Sequence, residues 1–367
     1  MTSSYWVGPR WVGPRWFGSA SGSAFGSGGF DRYEGDAPGD VLARALVAVR
    51  EDLERAPASR RDIEPSPTRG TSLDPSQVFA AIASLQAQAA PVRSLDAHER
   101  LWRYDTGLRQ SLIVEALTSR LNISFGLFDS TVSCGTQSHA GDHILVLDRP
   151  TEVMWRQEST AVMRAAQRRK DQADELLMQV DSVPVFFAAL LGIGSTTHPN
   201  TLELMSVVAH VVGRVLHVVK HRFAVPRPHE VNLHIIPVVG TPAHYSFPAG
   251  HAAFAFAQSV TFGMLFDDTV VPDLFRLSQL ISDNRVVAGL HYPMDSDGGF
   301  AVGVAVAAWL SSLHSSDGKP SRLATVKYGI SNDQGTLTAS QTAEHVLPEC
   351  PEWSLLVEKA KQEWSRK

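Results

Sequence analysis

Between residues 94 and 314 the apolar side chains return at spacings of three and four residues. The stretches lie at about 94–121, 151–180, 183–193, 200–223, 250–266, 271–289 and 293–314. That period gathers them on one face of a helix. No regular alternation of helical and strand-like stretches interrupts them, which argues against a parallel α/β sheet. The pattern constrains the chain to a mainly α fold, a helical bundle forming one large domain. Short strands are expected only at 143–149 (HILVLDR) and within 325–338. The apolar runs 183–193 and 299–310 fall short of the ~20 residues that cross a bilayer and read as buried helices.

The segments flanking this core differ in composition. Residues 1–35 hold WVGPR twice, then a Gly/Ser-rich run, and read as a flexible segment. Residues 36–74 hold a helix at 40–55 and a linker rich in Pro, Ser and Arg, and the catalytic domain is expected over 75–320. Residues 321–367 are expected as a loosely attached tail. A formal charge of -5 argues against nucleic acid as a partner, since neutralising phosphates requires a basic excess. The two cysteines, Cys134 and Cys350, form no metal-ligand or disulfide pattern. With no basic-then-apolar leader and no spanning segment in view, the expectation is a cytoplasmic protein with no membrane partner.

Three short stretches carry chemistry. In KHRFAVPRP, residues 220–228, Lys220 ends an apolar helix and Arg227 stands between two prolines that stop the helix and stiffen the turn. By itself such a stretch is more often a solvated basic helix end. In TPAHYSFPAGH, residues 241–251, Pro248 and Gly250 make a turn that opens directly into an apolar helix. Such a start offers free N–H groups and the positive end of the dipole to an anion, with His251 beside it as acid/base or as a simple cap. In NRVVAGLHYPMD, residues 284–295, Asp295 follows His291 by four residues, close enough to bond one ring nitrogen and fix the tautomer. The other nitrogen is then a nucleophile or ligand. Lys220, Arg227 and Arg285 with His251 and His291 make a set suited to a tetrahedral oxyanion with an in-line partner.

K-x6-R-P at 220–228, P-A-G-H at 248–251 and R-x5-H-x3-D at 285–295 resemble the three-part signature shared by vanadium-dependent haloperoxidases and type-2 phosphatidic acid phosphatases. With its flanking helices the resemblance runs from about 150 to 314 and is nearest to the bacterial soluble haloperoxidase-like branch. It implies the helical bundle of the vanadium haloperoxidase/acid phosphatase type. It also implies that Lys220, Arg227, Arg285 and the Gly250 N–H bind the oxygens of vanadate, or of phosphate at the same site. His291, held by Asp295, would bond vanadium or attack phosphorus, and His251 would move a proton on the opposite side. His244, seven residues before His251, stands where algal bromoperoxidases carry a second histidine, and would face the halide.

The activity this implies is oxidation of bromide or iodide by hydrogen peroxide to hypohalous acid, for a small organic acceptor, in a chain whose family often forms homodimers. The alternatives are a soluble acid phosphatase working through phosphohistidine, and an oxyanion-binding protein of weakened activity. The second alternative follows from Ala249, where the usual motif has a serine whose hydroxyl donates to the anion. Ser246 or a water is the available substitute.

Overall fold

The computed structural model describes residues 101–126, 131–136, 143–180, 183–263, 270–314, 321–345 and 349–365. The segments expected at 1–35 and 36–74, and the helix at 75–90, lie outside these residues. The helices are α1 (Thr106–Thr118), α2 (Glu152–Ala165), α3 (Ala173–Met178), α4 (Val183–Leu191), α5 (Pro199–Phe223), α6 (Pro228–Val231), α7 (Gly250–Gly263), α8 (Val271–Val287), α9 (Pro293–Ser312) and α10 (Pro351–Trp364).

Local sequence explains several of their ends. Asp105 and Thr151 cap α1 and α2 by accepting from Leu108 N and Met154 N. Prolines stand in the first turns of α5, α6, α8, α9 and α10, where a missing N–H costs nothing. The N-terminus of α5 is capped from far along the chain. The Glu363 carboxylate on α10 accepts from Asn200 N at 2.7 Å and Thr201 N at 2.9 Å.

The core sits where α5, α7, α8 and α9 meet. Every residue of α7 from His251 to Phe262 is buried, as is every residue of α9 from Pro293 to Leu310. These two helices touch backbone to backbone. A Cβ at Gly299 would lie 2.5 Å from the Ala249 carbonyl oxygen, and one at Gly303 would overlap Ala253. Only glycine permits that approach.

A five-stranded sheet accompanies the helices, in the order β1 (Leu121–Phe125), β2 (Thr131–Thr136), β3 (His143–Asp148), β4 (Ser321–Ser331) and β5 (Gln334–His345). Neighbours are antiparallel except β3 and β4, which run parallel with Leu145 opposite Val326. Asn332 and Asp333 turn the β4–β5 hairpin at positive φ, 51° and 56°, as residues of a two-residue hairpin loop do. The mainly α expectation thus holds for the helical core and is corrected by this mixed sheet. The strands foreseen at 143–149 and within 325–338 are present, whereas β1 and β2 were missed because they are only five and six residues long, too short for their pattern to stand out.

Residues beyond 321 are not a loose tail. β4 is hydrogen-bonded to β3, Trp353 is fully buried with Nε1 donating to Leu310 O at 2.7 Å, and Glu363 caps α5. One helical stretch among the described residues, Pro199–Val231, is long and apolar enough to cross a membrane, and 78% of its apolar window is buried inside the protein.

Candidate oxyanion site

Backbone hydrogen bonds knit the three sequence motifs together. Ser246 N donates to Val225 O at 2.8 Å, tying the second motif to the first. Ala249 N donates to the Asp295 carbonyl at 2.8 Å, tying it to the third. α5 ends at Ala224, which is left-handed (φ 47°) and returns its N–H to Lys220 O, so the chain reverses and Arg227 points back to the helix end. The peptide between Phe247 and Pro248 is cis. Phe247 packs between Phe223 and Tyr328, with ring centroids at 6.0 and 5.4 Å, which seats the turn between α5 and the sheet.

The three cations expected from sequence are all buried: Lys220 and Arg227 are 1% exposed and Arg285 0%. Burial on that scale is costly without partners. Lys220 Nζ donates to the carbonyls of Tyr245 (2.8 Å) and Ser246 (2.7 Å). Desolvation first, then the charge of Arg227, hold its pKa well below the usual value, while Asp295 opposes them. Arg227 donates from Nε to His244 O (3.0 Å) and from one terminal nitrogen to Leu290 O (2.8 Å). Its main-chain N–H is taken by Glu230. Burial lowers its pKa to about 10, which leaves it cationic at neutral pH.

The same guanidinium faces two histidines. His244 Nδ1, at 3.0 Å, also lies 2.9 Å from the Tyr245 carbonyl, so Arg227 alone does not set its tautomer. His291 Nε2 is at 3.1 Å, and because a guanidinium can only donate, that nitrogen must carry a lone pair. His291 therefore keeps its proton on Nδ1, which donates to Asp295 Oδ2 at 2.9 Å, the pairing expected from the i,i+4 spacing. That carboxylate oxygen also accepts from Tyr292 N (3.0 Å) and Ser246 Oγ (2.5 Å). Burial raises the Asp295 pKa to about 6, against the pull of these bonds and of Lys220 and Arg227, and it is ionised at neutral pH. His291 is pushed well below its ordinary value by burial and by Arg227 and Lys220. It is a neutral imidazole with its Nε2 lone pair toward the cations.

Arg285 and His251 form the other side. The α3 terminus serves both: the Gln179 carbonyl accepts from His251 Nε2 at 2.8 Å, and Gln179 Oε1 accepts from Arg285 at 3.0 Å and from Asn284 Nδ2 at 3.1 Å. Asn284 Nδ2 also donates to Glu175 Oε2 at 2.8 Å. Since a carbonyl can only accept, His251 carries its proton on Nε2 and leaves Nδ1 as the basic nitrogen. Burial, then Arg285, lower its pKa to about 3, and burial lowers that of Arg285 to about 9. Arg285 Nε and its other terminal nitrogen are buried with no hydrogen-bond partner, and so is Gln179 Nε2.

The structure thus brings together Lys220, Arg227, Gly250, His244, His251, Arg285, His291 and Asp295, with Gly250 opening α7 beside His251. Mutual electrostatic influence links His291 to Arg227, Lys220, His251 and His244, and His251 to Arg285. Ser246, a candidate substitute for the hydroxyl missing at Ala249, is instead committed to Asp295. Sequence reasoning missed Gln179, Asn284, Glu175 and Glu230. Asn284 and Glu230 adjoin the motifs, but nothing in the sequence around Gln179 marks it.

Residues 202–319 match the family model of the PAP2 superfamily. The matched segment covers the helices that form the core. Eleven chains of solved structure also match. One is described as the crystal structure of the first bacterial vanadium-dependent iodoperoxidase, with 15% identity over 68% of this chain and 53% of that one and a TM-score of 0.26. The chain spans about half the length of that protein, and a likeness so slight adds nothing to the geometry. No curated protein matches significantly. The matched segment contains the three sequence stretches whose residues converge in the structure. Three cations, orphaned buried N–H groups on Arg285 and one imidazole lone pair fit a tetrahedral oxyanion such as vanadate or phosphate.

Proposed function

We propose that this protein is a vanadate-dependent haloperoxidase that oxidises bromide or iodide with hydrogen peroxide to hypohalous acid, which passes to a small organic acceptor. The observation that carries the oxyanion chemistry is the tautomer of His291, locked by Asp295 at Nδ1 so that Nε2 offers its lone pair among Lys220 and Arg227. Vanadate, when bound, supplies Lewis acidity without changing its oxidation state. Lys220, Arg227, Arg285 and the Gly250 N–H would hold its oxygens, and His291 Nε2 would ligate the vanadium. For that, the Arg227 N–H that now donates to Nε2 would turn to an oxygen of the ligand and free the lone pair.

The remaining groups move protons and place the halide. His251, neutral and held through Nε2 by the Gln179 carbonyl, accepts a proton at Nδ1. His244, kept neutral by burial and by Lys220 and Arg227 with its pKa lowered to about 2, presents an uncharged ring on the halide side. The family match equally supports a phosphatase, in which His291 Nε2 attacks phosphorus and a protonated His251 gives its proton to the leaving alcohol.

One pair of assays separates these readings. Dye halogenation with bromide or iodide is measured on vanadate-loaded protein with hydrogen peroxide, and p-nitrophenyl phosphate hydrolysis on the protein without vanadate. Vanadate-dependent turnover is expected, with His291→Ala lowering it at least ~10³-fold. Hydrolysis without halogenation would replace the proposal by the phosphatase, and silence in both would leave an oxyanion-binding protein.

A further inference from the structure

The serine missing at position 249 leaves the site short of one neutral hydrogen-bond donor, and the structure contains another in the right company. Gln179 is fully buried, and its side-chain amide is oriented without ambiguity. Arg285 can only donate, so the atom it meets at 3.0 Å must be the amide oxygen, which also receives Asn284 Nδ2 at 3.1 Å. Asn284 is held in turn by Glu175 at 2.8 Å. With Oε1 engaged twice, Nε2 is a buried N–H2 that has no partner, in the same side-chain cluster as the two orphaned nitrogens of Arg285. The Gln179 main-chain carbonyl meanwhile grips His251, so this residue adjoins both groups on that side of the site. Buried N–H groups are almost always satisfied, and orphaned donors clustered beside a cation call for an acceptor with several oxygens.

We infer that Gln179 is an oxyanion-binding residue that supplies, through Nε2, the hydrogen bond which a serine hydroxyl at position 249 gives elsewhere in the superfamily. The inference rests on the oxyanion reading of the site. It assigns α3, which lies outside the motif region, a direct part in binding vanadate or phosphate.

The test is a double-mutant cycle read by titration calorimetry with orthovanadate and, separately, with inorganic phosphate, on the full chain. Wild type, Gln179→Ala, Ala249→Ser and the double variant are compared, with thermal midpoints taken for each. If Gln179 fills the serine's place, Gln179→Ala weakens anion affinity roughly 10-fold or more, the loss expected for a hydrogen bond to a charged group. Ala249→Ser changes wild type little but restores most of the loss in the Gln179→Ala background. Two results overturn the inference: unchanged affinity in Gln179→Ala, or a loss that Ala249→Ser does not repair in a variant that still folds. If wild type binds neither anion, the oxyanion reading itself fails, which is a distinct outcome.

Discussion

The two sides of the site are built to opposite rules. Around His291 and Arg227 the donors are engaged and the unmet atoms include an acceptor: Arg227 donates to two carbonyls and faces two imidazole nitrogens, Asp295 Oδ2 accepts three bonds, and Asp295 Oδ1 is left without a partner. Around Arg285 and Gln179 buried donors are left over. The first side holds its reactive tautomer without help from a ligand. The second carries an unmet demand that binding an anion relieves, so the affinity of the site is concentrated there.

Arg227→Met against Arg285→Met is the most direct way to break that contrast. Removing Arg227 strands the carbonyls of His244 and Leu290 in the interior and should destabilise the protein by roughly 3–5 kcal/mol. Removing Arg285 deletes bonds only to Leu176 O and Gln179 Oε1 and should cost about 1–2 kcal/mol. Urea unfolding measures both, and equal losses would mean that the two sides do not differ.

Acid sharpens the comparison on the Arg285 side. His251 has a folded pKa of about 3 against an ordinary 6.5, so between those values the unfolded chain binds the extra proton. Stability is unaffected by this group above 6.5, falls as pH drops below it, and levels off near 3. From pH 7 to pH 5 the loss from His251 alone should be about 2 kcal/mol. Urea midpoints at the two pH values should show it in wild type, and a smaller slope in His251→Phe.

Much of this was legible in the sequence. The helical stretches follow from spacing, and the His291–Asp295 bond from Asp295 standing in the first turn of α9, within reach of the residues just before it. The convergence of three cations follows from the motif resemblance. Ser246 and Gln179 were not readable in the same way. The roles of their polar atoms depend on partners 49 and 106 positions away, and serine and glutamine are common at neutral positions. The sheet was half visible for a related reason. β3 and parts of β4 and β5 were expected, whereas β1 and β2 are short segments that complete a sheet by pairing with each other and with β3.

The smallest effect expected tests the turn on the satisfied side. Ala224 adopts φ 47°, where glycine is at ease and alanine is strained. Ala224→Gly should therefore raise stability by about 0.5–1 kcal/mol, again by urea unfolding. A loss would show that the reversal delivering Arg227 depends on the alanine methyl.

The glycine contact between α7 and α9 bears on how position 249 can vary. Ala249 is anchored by its main chain, its N–H on the Asp295 carbonyl and its oxygen against the bare face of Gly299, and its methyl is fully buried. An exchange of alanine for serine leaves both main-chain anchors in place. Serine and alanine are therefore interchangeable there as scaffolding, and the choice between them is free to act on ligand chemistry alone, a dial that evolution can turn without moving the machine it is mounted on.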